Sequence, residues 1–319
     1  MKGVHKKGQQ TLFGQSPKGL LMDFLADYPQ IEFMKGPVKE LDRKQIRDIM
    51  LEMKNEDMKH KGYSMYEKED QHVTAEMLNT GKITARKVEA ASFLKEHRRT
   101  SLAEVNGFIQ WPYILYLDKI KIGLINFSNS MMRNSERDAL LPKGKTVNDF
   151  NGRNIQTCVA YPWASHFLVG KLCATVACAI GRQDGLDFVE TTSLFGKSIQ
   201  YDRLPFLRQH GFTTGSTGAT YLFPHVFFQQ LQKHLQTFYG GYLVNDEYFS
   251  KKKALLLALT RVTGLEDKGY KITNVSMKRG YYLSIINEKI NKFEEKRLPP
   301  ADIDEAVEYW RRRWLVKRL

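Results

Sequence analysis

The stretch from Asn154 to Phe212 constrains the chain most, because its pattern switches from strand to helix and back within one short segment. Asn154 to Ala160 reads as a strand, and Tyr161-Pro162-Trp163 breaks it. Ala164 to Ile180 follows the apolar period of a helix, with Gly170-Lys171 near its start. Gly181 to Gly185 is a turn, and Asp187 to Ser193 reads as a second strand. Tyr201 to Phe212 closes the segment as a short helix ending in Gly211-Phe212. A β–α–β unit of this kind is the smallest module that places a ligand between two strands and a helix N-terminus.

The flanks supply further elements. Leu41, Ile46, Ile49, Met50 and Met53 share one side of a helix over Leu41 to Met58. Tyr63 to Ala91 is polar, and its second half is predicted to be helical. Lys95, His97, Arg98 and Arg99 read as a solvated helix end. Tyr113 to Leu117 and Lys121 to Phe127 form a hairpin about Asp118-Lys119. Thr213 to Thr220 is a loop of glycines and hydroxyls. Helices follow over Pro224 to Tyr239 and Ala254 to Val262, the second ended by Gly264. Tyr281 to Ile286 is a further strand, and Asp302 with Glu305 makes a capping-box pattern for a last helix. The expected fold class is α/β (α+β): a mixed sheet flanked by helices, with helical N- and C-terminal additions. The expected division is a mostly helical region over 1–104, a core over 105–290 and a basic helix over 291–319.

With 319 residues, 42% of them hydrophobic, the chain can bury a substantial core. Its formal net charge of +14 points to a polyanionic partner, nucleic acid first and an anionic membrane surface second. Cys158, Cys173 and Cys178 lie in apolar surroundings without a Cys-x-x-Cys pair, as expected of reduced thiols in a cytoplasmic protein. No apolar run is long enough to span a bilayer, and the basic start lacks the apolar stretch of a secretory signal. The histidines have no carboxylate at ligand spacing, so no metal site is expected. No membrane association or obligate protein partner is expected either.

Several residues carry candidate chemistry. Ser165 and His166 lie at the N-terminus of the central helix, where free N–H groups favour an anion; Ser165 is equally suited to be a simple cap. Gly170 and Lys171 let a phosphate-bearing ligand approach, or Gly170 serves helix–sheet packing. Glu190 ends the second core strand among Thr191, Thr192 and Ser193. A partly buried carboxylate there suits a general base; the alternative is an ion pair with Arg203 or Lys197. Tyr161 suits base stacking or the core. Trp310 to Arg318 interleaves aromatics with Arg311, Arg312 and Arg313, a pattern for tracking phosphates, with Trp310 and Trp314 docked on the core.

The order of hairpin, strand, helix, strand and closing Gly-Phe resembles the GNAT acyltransferase fold. Pro205 to Phe212 is similar to the closing motif of that fold, with Leu207 where its Tyr general acid usually stands. Four pieces resemble a narrower group, the divergent GNAT-like proteins that include the Mom DNA-modification proteins and the family found in Druantia anti-phage systems. They are Ile122 to Ile125 with Arg137-Asp138 downstream, Ala164 to Leu168, Glu190 to Ser193, and Gly215 to Gly218. The resemblance spans roughly residues 105–290. It implies DNA as substrate, an acyl-type modification of an adenine amino group, and an acyl donor such as acetyl-CoA. Tyr201 then stands in for the missing acid, beside Glu190 and Tyr161 as catalytic candidates. Ser193, Arg203, Gly215, Ser216, Gly218, Arg311, Arg312 and Arg313 become the candidate DNA contacts. Two rival functions stand beside this one. The first is a DNA-binding anti-phage or anti-restriction component without chemistry; the second is an ordinary N-acyltransferase acting on protein or metabolite.

Overall fold

The computed structural model describes residues 16–41, 43–60, 71–100, 109–193, 196–213, 218–239, 251–287, 290 and 297–319. In chain order the elements are α1 (Pro17–Ala26), β1 (Lys39–Glu40), α2 (Arg43–His60), α3 (Ala75–Thr80), β2 (Ile83–Lys87), α4 (Ala90–Thr100), β3 (Trp111–Leu117), β4 (Ile120–Asn129), α5 (Ser135–Asp138) and β5 (Gly152–Ala160). They continue with α6 (Pro162–Ser165), α7 (Val169–Gln183), β6 (Phe188–Thr192), β7 (Arg208–Thr213), α8 (His225–Tyr239), α9 (Lys251–Thr263), β8 (Val275–Ser276), β9 (Arg279–Ile285) and α10 (Ile303–Trp310), which runs into a π-helical turn over Arg311–Leu315.

The chain divides into two discontinuous units, one of residues 1–63 with 214–277 and one of 64–213 with 278–319. These are not the consecutive segments of the sequence reading. The first unit carries α1, α2, α8 and α9, and pairs β1 with β8 in parallel through Lys39↔Val275 and Glu40↔Ser276. A cluster of aromatic rings sits in its largely aliphatic core. Phe227 stacks on Phe223 at 4.2 Å and on Phe24 at 5.3 Å, with Tyr28 edge-on at 4.8 Å.

The second unit is a mixed α/β fold around a seven-stranded sheet in the order β2-β3-β4-β5-β6-β9-β7. Among the described residues β5–β6 pairs in parallel and every other neighbour in this sheet is antiparallel. Helix α7 covers one face, and its apolar side is buried nearly throughout. Two glycines let it lie close. A Cβ at Gly123 would stand 2.3 Å from Cys173 Sγ, and one at Gly181 2.3 Å from Val189 Cγ2. Either substitution would overpack the layer, at a cost of about 1–3 kcal/mol. Val307, Trp310, Trp314 and Leu315 of the C-terminal helix join the same core. Phe93 of α4 packs with Ile114, Leu124 and Tyr161 in a separate cluster.

Three elements differ from the sequence reading. Residues 83–87 form a sheet edge rather than helix, because pairing with β3 over Ile83↔Leu117 to Lys87↔Tyr113 supplies the backbone partners. The central helix is two pieces, broken where Leu168 adopts the left-handed conformation at φ 60°. The closing segment holds no helix over 208–213: Arg208 to Thr213 pairs with β9, and Gly211 turns at φ 94° within a bulge.

Candidate functional site

The β5–β6 pair sets the site. It is hydrogen-bonded through Gly152↔Phe188, Arg153↔Val189 and Asn154↔Glu190, and pairing then stops while β5 runs on to Ala160. On its other side β5 carries an irregularity against β4, where Thr157 faces Asn126, Ile155 faces Phe127, and Gln156 is the extra residue. The bulge bends β5, and the backbone ladder between the two strands ends at Asn154 and Glu190, leaving a gap in the pairing. A gap at the carboxyl ends of parallel strands is the usual ligand position in α/β sheets.

Glu190 lies at the closed end of this gap and is fully buried. Its Oε1 accepts from the Met131 amide at 2.8 Å and from Arg137 Nη1 at 3.0 Å. Its Oε2 accepts from the Tyr281 hydroxyl at 2.8 Å. Arg137 is fully buried too, donating also to Met131 O at 2.6 Å and, from Nη2, to Asp138 Oδ1 at 2.7 Å. Burial raises the Glu190 pKa, opposed by the Arg137 guanidinium, the Tyr281 hydroxyl and the Met131 amide. Burial, reinforced by the Glu190 charge, drives the Tyr281 hydroxyl far above its ordinary value. The ion-pair partner of Glu190 is thus Arg137, neither Arg203 nor Lys197. Both carboxylate oxygens are engaged, so the residue expected to act as a base instead ties the 131–138 loop to β6. Arg137 was visible in the sequence as part of a motif; nothing there linked it to Glu190.

The open end of the gap is filled by the chain itself. Thr191 Oγ1 donates to Ile155 O at 2.8 Å. Tyr201, expected as an acid, is buried beside Cys158, with its ring 5.1 Å from Tyr282. Burial pushes both the Tyr201 hydroxyl and the Cys158 thiol well above their ordinary values. Gln200 Nε2 then donates to Cys158 O at 2.8 Å. Lys171 Nζ, buried in the first turn of α7, donates to Ile199 O at 2.5 Å and to Asp202 O. It lies 5.3 Å from the Trp314 ring centre. Burial lowers its pKa to about 8; Asp202 opposes this, and Arg203 and Arg313 add to it.

The start of α7 is built differently from its expected form. Leu168 is the N-cap residue, without a side-chain cap bond. Ser165 belongs to α6 and donates to Pro162 O at 2.9 Å. The His166 ring packs on Phe167 at 3.9 Å, and its carbonyl accepts from Arg318 at 2.6 Å. A Cβ at Gly170 would stand 3.4 Å from Gln200 Oε1, so this glycine faces the filling segment.

The remaining candidates separate by exposure. Tyr161 is buried, donating to Glu96 Oε2 at 2.5 Å with its ring 4.8 Å from Trp163; it is a core residue, out of reach of a base. Ser193 is buried, and its hydroxyl accepts from the Gly280 amide at 3.0 Å, so it is no surface contact. Arg311 caps the C-terminus of α3, donating to Leu78 O at 3.0 Å and Gly81 O at 2.5 Å; its guanidinium is committed to the fold. Arg203, Arg312 and Arg313 are exposed. Arg313 leans on the Tyr309 and Trp314 rings. Gly218 lies in the other unit and is buried, with room for a Cβ only 2.9 Å from Val275 Cγ1. Gly215 and Ser216 lie outside the described residues.

No group of three or more His, Cys, Asp or Glu among the described residues is arranged to hold a metal ion. No helix among them is long and apolar enough to cross a membrane. No family model, curated protein or solved structure matches the chain.

Proposed function

We propose that the chain is a DNA-modifying protein of the divergent GNAT-like type, acting on the amino group of a base. The observation that carries the reading is the mixed sheet, in which hairpin β3–β4 leads to β5, α7 and β6, and the parallel β5–β6 pair stops pairing towards its carboxyl end. This is the order of elements that the resemblance implies. The formal charge of +14 supports a polyanionic partner. Exposed Lys197, Arg203, Arg208, Arg312, Arg313 and Lys317 of the sheet-bearing unit supply phosphate contacts. A base within a duplex is out of reach, so the target is flipped from the stack.

Glu190 has a positioning part in this reading. It acts through Arg137 and Tyr281, since both of its oxygens are engaged. An acyl-coenzyme A donor does not fit the residues lining the β5–β6 gap, because Thr191, Gln200 and Tyr201 already fill it.

The second reading is a DNA-binding anti-phage or anti-restriction component without chemistry. The sealed Glu190 and the buried Leu207, at the position of the usual acid, favour it. Mass spectrometry of nucleosides from the DNA of expressing cells separates the two: a mass-shifted nucleoside supports the enzyme, and unmodified DNA overturns it. Both readings expect DNA affinity to fall steeply with salt, by about 10³-fold or more between roughly 50 and 200 mM for six or more phosphate contacts. Salt-independent binding would overturn a phosphate-dominated interface.

A further inference from the structure

The β5–β6 gap combines three features. Its walls stop pairing after Asn154 and Glu190, which leaves the later backbone groups of β5 without strand partners on that side. Buried backbone acceptors need partners, and an extended ligand bearing amides is one way to supply them. Here the chain supplies them instead. Ile155 O is taken by Thr191, and Cys158 O by the Gln200 amide. Tyr201 sits between them, buried against Cys158 and within reach of Thr191.

The segment carrying Gln200 and Tyr201 is itself anchored. Lys171 holds the carbonyls of Ile199 and Asp202, and the Ser198 amide donates to the Tyr282 hydroxyl at 3.0 Å. Arg203, next in the chain, is held at φ 61°, a conformation that a non-glycine residue keeps only when its surroundings fix it. Gly170, in the first turn of α7, faces the Gln200 side chain at near-contact distance, where an incoming phosphate would otherwise meet the helix.

We infer that residues 198–202 are a built-in occupant of the β5–β6 gap, latched by Lys171, and that this chain takes no coenzyme A thioester there. The inference deepens the transferase reading proposed above by excluding one class of donor. A donor for that reaction is then either smaller than a coenzyme or bound outside the gap.

Two measurements on the full chain test it. The first is isothermal titration of the wild-type protein with coenzyme A and with acetyl-CoA. The expected result is no binding at millimolar ligand; micromolar binding of either overturns the inference. The second is thiol labelling read by mass spectrometry. Cys158 borders the gap and Cys178 also interacts with Tyr201, whereas Cys173 packs by Gly123 of β4; all three are buried and expected to resist labelling in the wild type. Lys171→Met combined with Gln200→Ala releases the segment, so Cys158 is expected to lose protection while Cys173 keeps it. Continued protection of Cys158 in a folded variant overturns the occupant role. If the variant unfolds and all three thiols react together, the wild-type titration decides by itself. Nucleoside analysis reads the transferase reading separately: unmodified DNA with a silent coenzyme titration removes the enzyme and leaves the occupant in place.

Discussion

The two ends of the β5–β6 pair solve the same problem in opposite ways. At the closed end a full ion pair, Arg137 with Glu190, is buried without exposure, and each charge is bonded on several sides. At the open end a single cation, Lys171, is buried against neutral carbonyls and an aromatic ring. The first arrangement keeps two charges by letting them compensate each other. The second keeps one charge by dipoles in direct contact, with the Asp202 charge as partial compensation, and burial lowers its pKa. The closed end therefore acts as a fixed strut, whereas the open end is held by a group whose protonation lies within reach of ordinary buffers.

The largest effect is expected at the strut. Arg137→Met would leave the Glu190 carboxylate buried without its counter-charge, a loss of about 3–5 kcal/mol in urea denaturation. Glu190→Gln keeps shape and some hydrogen bonds and leaves Arg137 with Asp138 as its remaining counter-charge, so it is expected to lose less, about 1–3 kcal/mol. Equal losses would mean that Asp138 does not compensate Arg137 once Glu190 is neutral, and a loss under about 1 kcal/mol at Arg137→Met would mean that the pair is no strut.

The latch is expected to show the next largest effect, and with a distinct dependence on pH. Lys171 has a folded pKa of about 8 against an ordinary 10.5, so between those values the unfolded chain holds a proton that the folded chain has lost. Stability then rises with pH across that window, by no more than about 3 kcal/mol. Glu190 has the opposite sign. Its folded pKa lies above the ordinary 4.5, so the folded chain retains a proton that the unfolded chain loses, and stability falls as pH rises through that interval. Subtracting the stability curves of Lys171→Met and Glu190→Gln from that of the wild type isolates each group. Slopes of the same sign would erase the distinction between the two ends.

A smaller contrast lies among the C-terminal arginines. Arg311→Ala removes the cap on α3 and is expected to cost about 1–3 kcal/mol. Arg312→Ala, on an exposed side chain, is expected to change thermal stability by no more than about 0.5 kcal/mol while weakening DNA binding and shallowing its salt dependence. A DNA effect at Arg311 without loss of stability would reverse these assignments.

What the sequence determined by itself is local. The Asp302 cap, which accepts from the Glu305 amide at 2.8 Å, the hairpin turning at Asp118 and the end of α9 at Gly264 all depend on residues a few positions apart. The strand–helix–strand order at 152–192 was legible for the same reason: each element advertises its own period. Two polar elements were not legible in this way. β2 (Ile83–Lys87) and β7 (Arg208–Thr213) lack a run of apolar residues such as the Phe188-Val189 of the equally short β6, and their state follows from the neighbour each one pairs with. The site was hidden for a related reason. Glu190 meets Arg137 across 53 positions, and Arg311 meets the carbonyl of Leu78 across 233. An arginine on a charged helix reads as solvated until something else in the chain is found to present unpaired carbonyls to it. Composition fixes how many charges must be placed; only the packed chain decides which of them are enclosed, because the cost of burying a charge depends on partners that sequence proximity does not reveal.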